Sequence, residues 1–416
     1  MSVHAGSIIT VAGQNVIDRV QEAGLGDTKL PIETIREVGN PQVVDKVPGE
    51  PDYTFTMNSF NVGVELMALL TGAIGGSAGA SANAPGDADA EKTEYDWLDC
   101  GFINILSPWT DPDSGSSGEV DASMIVPGFY PTRITYRFGA ADNSTQEVEL
   151  GGGSYFYCEN AGAYEEFLKG TGAKTAFPTA KPAIHQRKGG ESGTTFRSVF
   201  GVLVDGELQT EDIDYTVVGG AEHPGSTATV TFTEAPALNA DIRFCYFSGE
   251  GTQTFPQSVH ASTLVLPGAV RGRNIKVYVA GNRIGGIQTA ELNASVDGEV
   301  QRELGSEEVI GRTINGTDAN GTVTIRSKNK SAFFDVLQKV TGVSRKEAYG
   351  FFNLKTVDLQ IKIENPKNPG QILKTLRVTD AQFQPPGTPA RVNSPTDFAF
   401  SFESQNGTFR EVKGSP

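Results

Sequence analysis

Cysteine is scarce. The 416 residues hold three, Cys100, Cys158 and Cys245, far apart, with no C-x-x-C pair and no histidine at ligand spacing. An odd count leaves at least one thiol unpaired unless it bonds another chain, so reduced, structurally incidental cysteines are expected. Histidine is equally thin. His4, His185, His223 and His260 lie in separate regions, none with a second ligand at helix or turn spacing, and no metal site is expected. Long apolar runs are missing too. The longest uncharged window, Leu66 to Gly86, is mostly Gly, Ala and Ser, too weak for a membrane span. Residues 1–20 lack a basic segment followed by an apolar one, so no secretory signal is read and synthesis in a cytoplasm is expected.

Catalytic signatures are also lacking. There is no G-x-S-x-G elbow, and no Ser-His-Asp assignment is favoured. Gly72-Ala-Ile-Gly-Gly-Ser is glycine-rich but has no following Lys-Ser/Thr, and it follows a helical pattern instead of opening one. Asp111-Pro112-Asp113-Ser114-Gly115 has no glutamate at the twelfth position of a calcium loop and reads as a solvated turn. Carboxylate pairs abound, but only Trp97 and Trp109 are available as sugar platforms, and Trp97 reads as a strand residue. No enzyme, catalytic residue, cofactor or metal is expected. Asn143, Asn315 and Asn406 sit in N-x-S/T sequons, which carry no glycan argument without a secretory signal. Asn315-Gly316, Asn320-Gly321 and Asn406-Gly407 read as turns.

Positive charge is in deficit, with 34 Lys+Arg against 50 Asp+Glu and a net charge of −16. That balance argues against a reader of DNA sequence, which needs a local surplus of cations. The deficit is uneven. Residues 1–165 hold 7 basic and 24 acidic residues, 166–259 hold 7 and 11, and 260–416 hold 20 and 15. The first part is therefore strongly acidic and the last mildly basic. The basic residues of the last part are spread out, with only Arg326, Lys328 and Lys330 close together.

The chain repeats itself. Aligning Thr71-Gly72 with Thr341-Gly342 brings Tyr53–Gly72 into register with Val323–Gly342. Each stretch opens on β-type alternation, Tyr53, Phe55 and Met57 against Val323, Ile325 and Ser327. Each then becomes helical, with Val62, Leu66, Leu69 and Leu70 matching Ala332, Val336, Lys339 and Val340, and each ends on glycine. Upstream, Arg36-Glu37-Val38-Gly39 matches Arg302-Glu303-Leu304-Gly305. Downstream, Gly128–Leu150 and Ala381–Phe402 each run through a proline-marked turn into β-rich sequence. Two segments break the symmetry. Residues 73–94 read as a flexible acidic-ended loop, and SVFGVLVDGEL, DIDYTVVGG, TATVTFTEAP and ADIRFCYFSG read as four short strands of a small, Ig-like β unit. The expected fold is mainly β with one principal helix per repeat. The expected domains are 1–165, a linker 166–189, a β module 190–255 and a second repeat 256–416.

Strand, long loop, strand, amphipathic helix ending in T-G, then paired strands is an order that resembles the tail-tube fold of bacteriophage tails. The run AQFQPPGTPARVNSPTDFAFSFESQNGTFREVKG, Ala381 to Gly414, resembles the closing strands of phage major tail proteins, and the middle unit is similar to small β modules on phage structural proteins. The resemblance covers roughly residues 20–160 and 262–414, and it is to the type with a duplicated tube domain found in long-tailed, non-contractile phages. It implies two half-barrel domains, and homotrimeric rings of pseudo-sixfold symmetry stacked into a tube. It also implies tape-measure and tail terminator or tip proteins as partners, residence in the virion tail, and DNA passing through the lumen unbound. The strands would line the channel, the helices would lie outside, and the loops after Gly39 and Gly305 would reach the neighbouring ring. Part of the first repeat's acid would face the lumen, and acidic and basic repeats would alternate around the ring. Two other readings stand beside it. One is a β-sandwich adhesin or decoration protein, which leaves the helix in each repeat unexplained. The other is a tail-fibre depolymerase, whose short β-helical period is missing here.

Overall fold

A computed structural model describes residues 101–109, 120, 122–187, 196–249, 270–302, 309–326, 330–344, 354–386 and 397–414. It also describes the shorter stretches 10–11, 15–16, 20–25, 32–35, 45–48, 53–60, 62 and 94–96. The protein is mainly β and its strands pair antiparallel. The first part supplies β1 (Thr10–Val11), β2 (Asn15–Val16), β3 (Val20–Leu25), β4 (Ile32–Ile35), β5 (Asp45–Pro48) and β6 (Tyr53–Ser59). It continues with β7 (Glu94–Asp96), β8 (Ile103–Trp109), β9 (Ala122–Gly139), β10 (Thr145–Gly152) and β11 (Phe156–Glu159). The middle holds β12 (Gly162–Lys169), β13 (Ala176–Pro178), β14 (Gln186–Arg187), β15 (Phe196–Arg197) and β16 (Phe200–Val204). There follow β17 (Glu207–Leu208), β18 (Tyr215–Gly219), β19 (Ala228–Phe232) and β20 (Asp241–Ser248). The last part holds β21 (Ile275–Val279), β22 (Asn282–Ile284), β23 (Ile287–Arg302), β24 (Val309–Arg326) and the helix α1 (Lys330–Thr341). It ends with β25 (Thr356–Glu364), β26 (Ile372–Phe383), β27 (Asp397–Ser404) and β28 (Phe409–Lys413).

The repeat is visible in the pairing. In the first part β1 pairs with β2 and β8, β8 with β9, β9 with β10 and β11, β10 with β6, and β6 with β3. In the last part β21 pairs with β22 and β25, β25 with β26, β26 with β27 and β28, β27 with β24, and β24 with β23. The seven pairings recur in the same chain order. The two copies are not separate bodies, however. β9 pairs with β23 and β28 with β7, so both belong to one 17-stranded sheet.

Alternation sets which face is buried. Phe55 and Met57 on β6, Val148 and Leu150 on β10, Ile134, Tyr136 and Phe138 on β9 all point into one core. Ala290, Leu292 and Ala294 on β23, Val323 and Ile325 on β24, and Phe400 and Phe402 on β27 continue that core across the joint. The helix packs on the same side, with Phe333 4.2 Å from the Phe398 ring and Val336, Leu337 and Val340 buried. It ends as its sequence predicts: Gly342, at φ +70°, donates to the Gln338 carbonyl. The helix expected over Val62–Leu70 lies outside the described residues except Val62, which is buried. The loop 73–94 lies outside them except Glu94, as does Trp97.

Three expectations are corrected. The segment 166–189 is not a linker, because β12 pairs with β20 and β13 with β19. The middle unit therefore begins near Gly162 and comprises two sheets, β12-β20-β16-β17 and β13-β19-β18, around Phe177, Val202, Val230, Ile242 and Phe244. Charge and Gly spacing hid these strands, since only alternate residues needed to be apolar. Next, Pro131 marks no turn. It sits inside β9 beside a bulge at Thr132, whose Oγ1 donates to the Glu149 carbonyl at 3.0 Å. Finally, Asn315-Gly316 and Asn320-Gly321 are inside β24, and of the three Asn-Gly pairs only Asn406-Gly407 is a turn, with Gly407 at φ +64°. A Cβ at Gly321 would run into the Glu291 carbonyl oxygen of the neighbouring strand and lie 2.6 Å from the Phe402 ring, so glycine is what fits there. The residue makes room for core packing.

Candidate assembly surfaces

With no catalytic, cofactor or metal residue proposed from sequence, the surfaces themselves are the candidates for function. His185 stacks on Phe196 at 4.1 Å, His223 Nε2 lies 3.1 Å from the Asn160 carbonyl, and His4, His260 and Asp111–Gly115 fall outside the described residues. Cys245 is buried with its thiol donating to the Phe200 carbonyl, and both it and Cys158 are free thiols. Among the described residues no three His, Cys, Asp or Glu side chains gather as a metal site, and no helix is long and apolar enough to cross a membrane.

The first surface is the face of the sheet turned away from the core. Across β6, β10, β9, β23, β24 and β27 the registers stack the outward residues into rows. One row is Asn58, Glu147, Thr135, Asn293, Asn320 and Glu403. The next is Thr56, Glu149, Arg133, Ser295 and Asp318. A third runs from Arg137 through Glu291 and Thr322 to Ser401. Hydrogen bonds knit the rows: Thr135 Oγ1 donates to Asn293 Oδ1 at 2.8 Å, and Asn293 Nδ2 to Asn320 Oδ1 at 3.3 Å. The face carries no large apolar side chain in these rows, and its carboxylates outnumber its arginines.

The second surface is the joint between the copies. β9 and β23 pair from Arg133–Ser295 to Gly139–Thr289. Arg137 spans it, 2.6 Å from Glu147 and 3.6 Å from Glu291. These charges oppose the overall split, since the arginine is on the acidic copy and Glu291 on the basic one. Both are about half exposed and such pairs contribute little. Beneath them lies a buried network. Lys374 Nζ is 3.1 Å from Glu411 Oε2 with both side chains fully buried, and Tyr136 from the first copy donates to the same oxygen at 2.9 Å. The ammonium also lies 4.7 Å from the Tyr136 ring centroid. Burial lowers the Lys374 pKa and raises that of Glu411, while their mutual attraction opposes both shifts.

No protein-family model and no curated protein matches the chain.

The third surface is a pair of arms. Among the described residues β23 leaves β9 after Ser295 and β24 meets β27 only from Asn320, so 296–302 and 309–317 pair there with each other alone. In the first copy β4 and β5 likewise pair, among the described residues, only with each other, on the same register as β3 with β6. β4 ends one residue before the block Arg36–Gly39 and β23 ends on the first residue of Arg302–Gly305; the rest of both blocks lies outside the described residues. The long loop expected after Gly305 is corrected in part, since 309–326 is strand β24; nothing in composition marks the joint, because main-chain pairing has no side-chain signature.

Proposed function

We propose that the protein is a structural virion component that assembles with copies of itself into stacked rings, forming a phage tail tube through which the genome leaves. The observation that carries this reading is the joint: two copies of one fold continue a single sheet by pairing β9 of one with β23 of the next. β3 is the first-copy counterpart of β23, and among the described residues its only partner is β6. β26 is the counterpart of β9. A repeat unit with a used joint inside and the matching edge outside is suited to closing a ring of three chains, with six sheets joined edge to edge.

Other features support the same reading. The helix packs on the core side of the sheet, so the polar, carboxylate-rich face is free to line a channel with the helix outside. A wall of that sign repels phosphates and binds no base edges. The arms extend from corresponding places in both copies and suit head-to-tail contact between rings. Negative-stain microscopy of the purified protein tests the reading: rings or tubes about 100 Å wide are expected from six domains each about 30 Å across. Dispersed monomers at high concentration overturn it.

A further inference from the structure

We infer that the middle module, through its Asp205–Gly206 turn, sets the pose of the β23–β24 arm, making the module part of the ring-stacking surface. The stacking role rests on the tube reading; the mechanical link does not. Asp205 and Gly206 both have positive φ, +51° and +82°, as a tight two-residue hairpin turn between β16 and β17 requires. The turn is pressed against the first copy. The Phe102 amide donates to the Gly206 carbonyl at 2.9 Å, and a Cβ on Gly101 would lie 2.9 Å from that same oxygen. Leu203 and Leu208, flanking the turn, share a small apolar cluster with Phe102 and Tyr130, whose rings meet edge to face at 5.8 Å.

Tyr130 is where the relay crosses to the arm. Arg312, on the β24 side of the arm and paired with Val300, places its guanidinium 4.9 Å from the Tyr130 ring centroid. Its Nη1 donates to the Pro131 carbonyl at 3.1 Å. β17 itself runs close to β24. Among the described residues the arm's strand pairing is its own ladder alone, and a two-stranded ribbon is marginal in water. Module, Tyr130 and Arg312 thus form one chain of contacts ending on an element whose main chain pairs only with itself there. Arg312 acts as a positioning residue: planar stacking on a ring together with a directed hydrogen bond fixes an orientation that a lysine ammonium does not reproduce.

Hydrogen–deuterium exchange on the full chain tests the link with two variants, Arg312→Lys at the arm and Leu208→Ala at the module. The amides of 296–302 and 309–317 are expected to exchange about tenfold faster in both, while the β9–β23 amides keep their protection. A role for Leu208 confined to the module would speed exchange there and leave the arm unchanged. That pattern, or arm protection unaltered in Arg312→Lys, overturns the inference. Should Leu208→Ala unfold the module, Arg312→Lys decides alone, since its side chain lies outside the module core. Microscopy separates the two readings: rings that form but stack into shorter tubes in the variants support both. A wild-type chain without rings removes the stacking role and leaves the exchange result to judge the brace.

Discussion

Lys374 and Glu411 show why one buried polar pair can matter more than the surface charges around it. Neither side chain is exposed, and each is tolerable only because the other and Tyr136 answer it. Lys374→Met strands an uncompensated carboxyl and is expected to cost about 3–5 kcal/mol in denaturant unfolding. Joining it to Glu411→Leu is expected to restore most of that loss, and a double variant no better than the single one would contradict the account. Glu165 on β12 is a second buried carboxyl. Asn104 Nδ2 donates to its Oε1 at 3.0 Å, while its buried Oε2, like Oε1 of Glu411, has no hydrogen-bond partner among the described residues. Burial pushes this carboxyl up to about 7, against the opposing pull of Arg243 and Asn104. A carboxyl with a raised folded pKa binds its proton more tightly in the folded state. Its stabilisation is complete below the unfolded value near 4.5 and fades as pH rises through 7. Glu165→Gln is therefore expected to flatten the fall in stability between those values, by about 3 kcal/mol at most. Thermal melts at pH 5 and pH 8 read the difference, and parallel pH dependence in both proteins would refute it.

At the scale of elements, the sequence announced what periodicity can announce. Phe55 and Met57, Val323 and Ile325, and the stripe ending at Gly342 declare strand and helix because their apolar spacing is a direct image of burial. The four runs of the middle unit also hold strands, but SVFGVLVDGEL holds two, β16 and β17, and β20 is buried along nearly its whole length instead of on alternate residues. What escaped was decided by contacts distant in the chain. Gly162–Lys169 alternates weakly yet is a strand because β20 lies beside it, and Asn320-Gly321 is straight because β23 and β27 flank it. Local turn preference there yields to a ladder on both sides. Gly321 carries a definite expectation: Gly321→Val drives a side chain against the Glu291 carbonyl and the Phe402 ring and is expected to destabilise by about 1–3 kcal/mol, as overpacking does. A melt unchanged within error would show that the space between Glu291 and Phe402 is not tight. The candidate surfaces were legible only in part. The matched blocks at Gly39 and Gly305 suggested long loops where the arms are, because 309–317 does not look like a strand until β23 pairs with it, and the β9–β23 joint left no trace in residue type.

The net charge of −16 describes the molecule less well than its sheet does. The acidic first copy and basic second copy meet at a joint whose visible ion pair, Arg137 with Glu291, has the opposite polarity to that split. In the proposed ring, orientation would thus be set by strand register and the buried Tyr136 contact, not by attraction between unlike halves. In the proposed tube the charge would find its use on the outward face. Glu147, Glu149, Asp318 and Glu403 stand in adjacent rows with Arg133 among them and Arg137 against Glu147, so a channel lined by six such sheets would offer phosphates little to hold. Replacing all four acids with lysine tests that role without touching the core face. The variant is expected to assemble as the wild type does but to retain a DNA fragment at low salt. Retention should fall steeply as salt rises, because each neutralised phosphate releases counterions on binding. Wild-type assemblies are expected to retain none. If the reversed face also lets DNA go, or if the wild type already holds it, the face is not the wall of a conduit, and the ring has to be sought on the opposite side of the sheet.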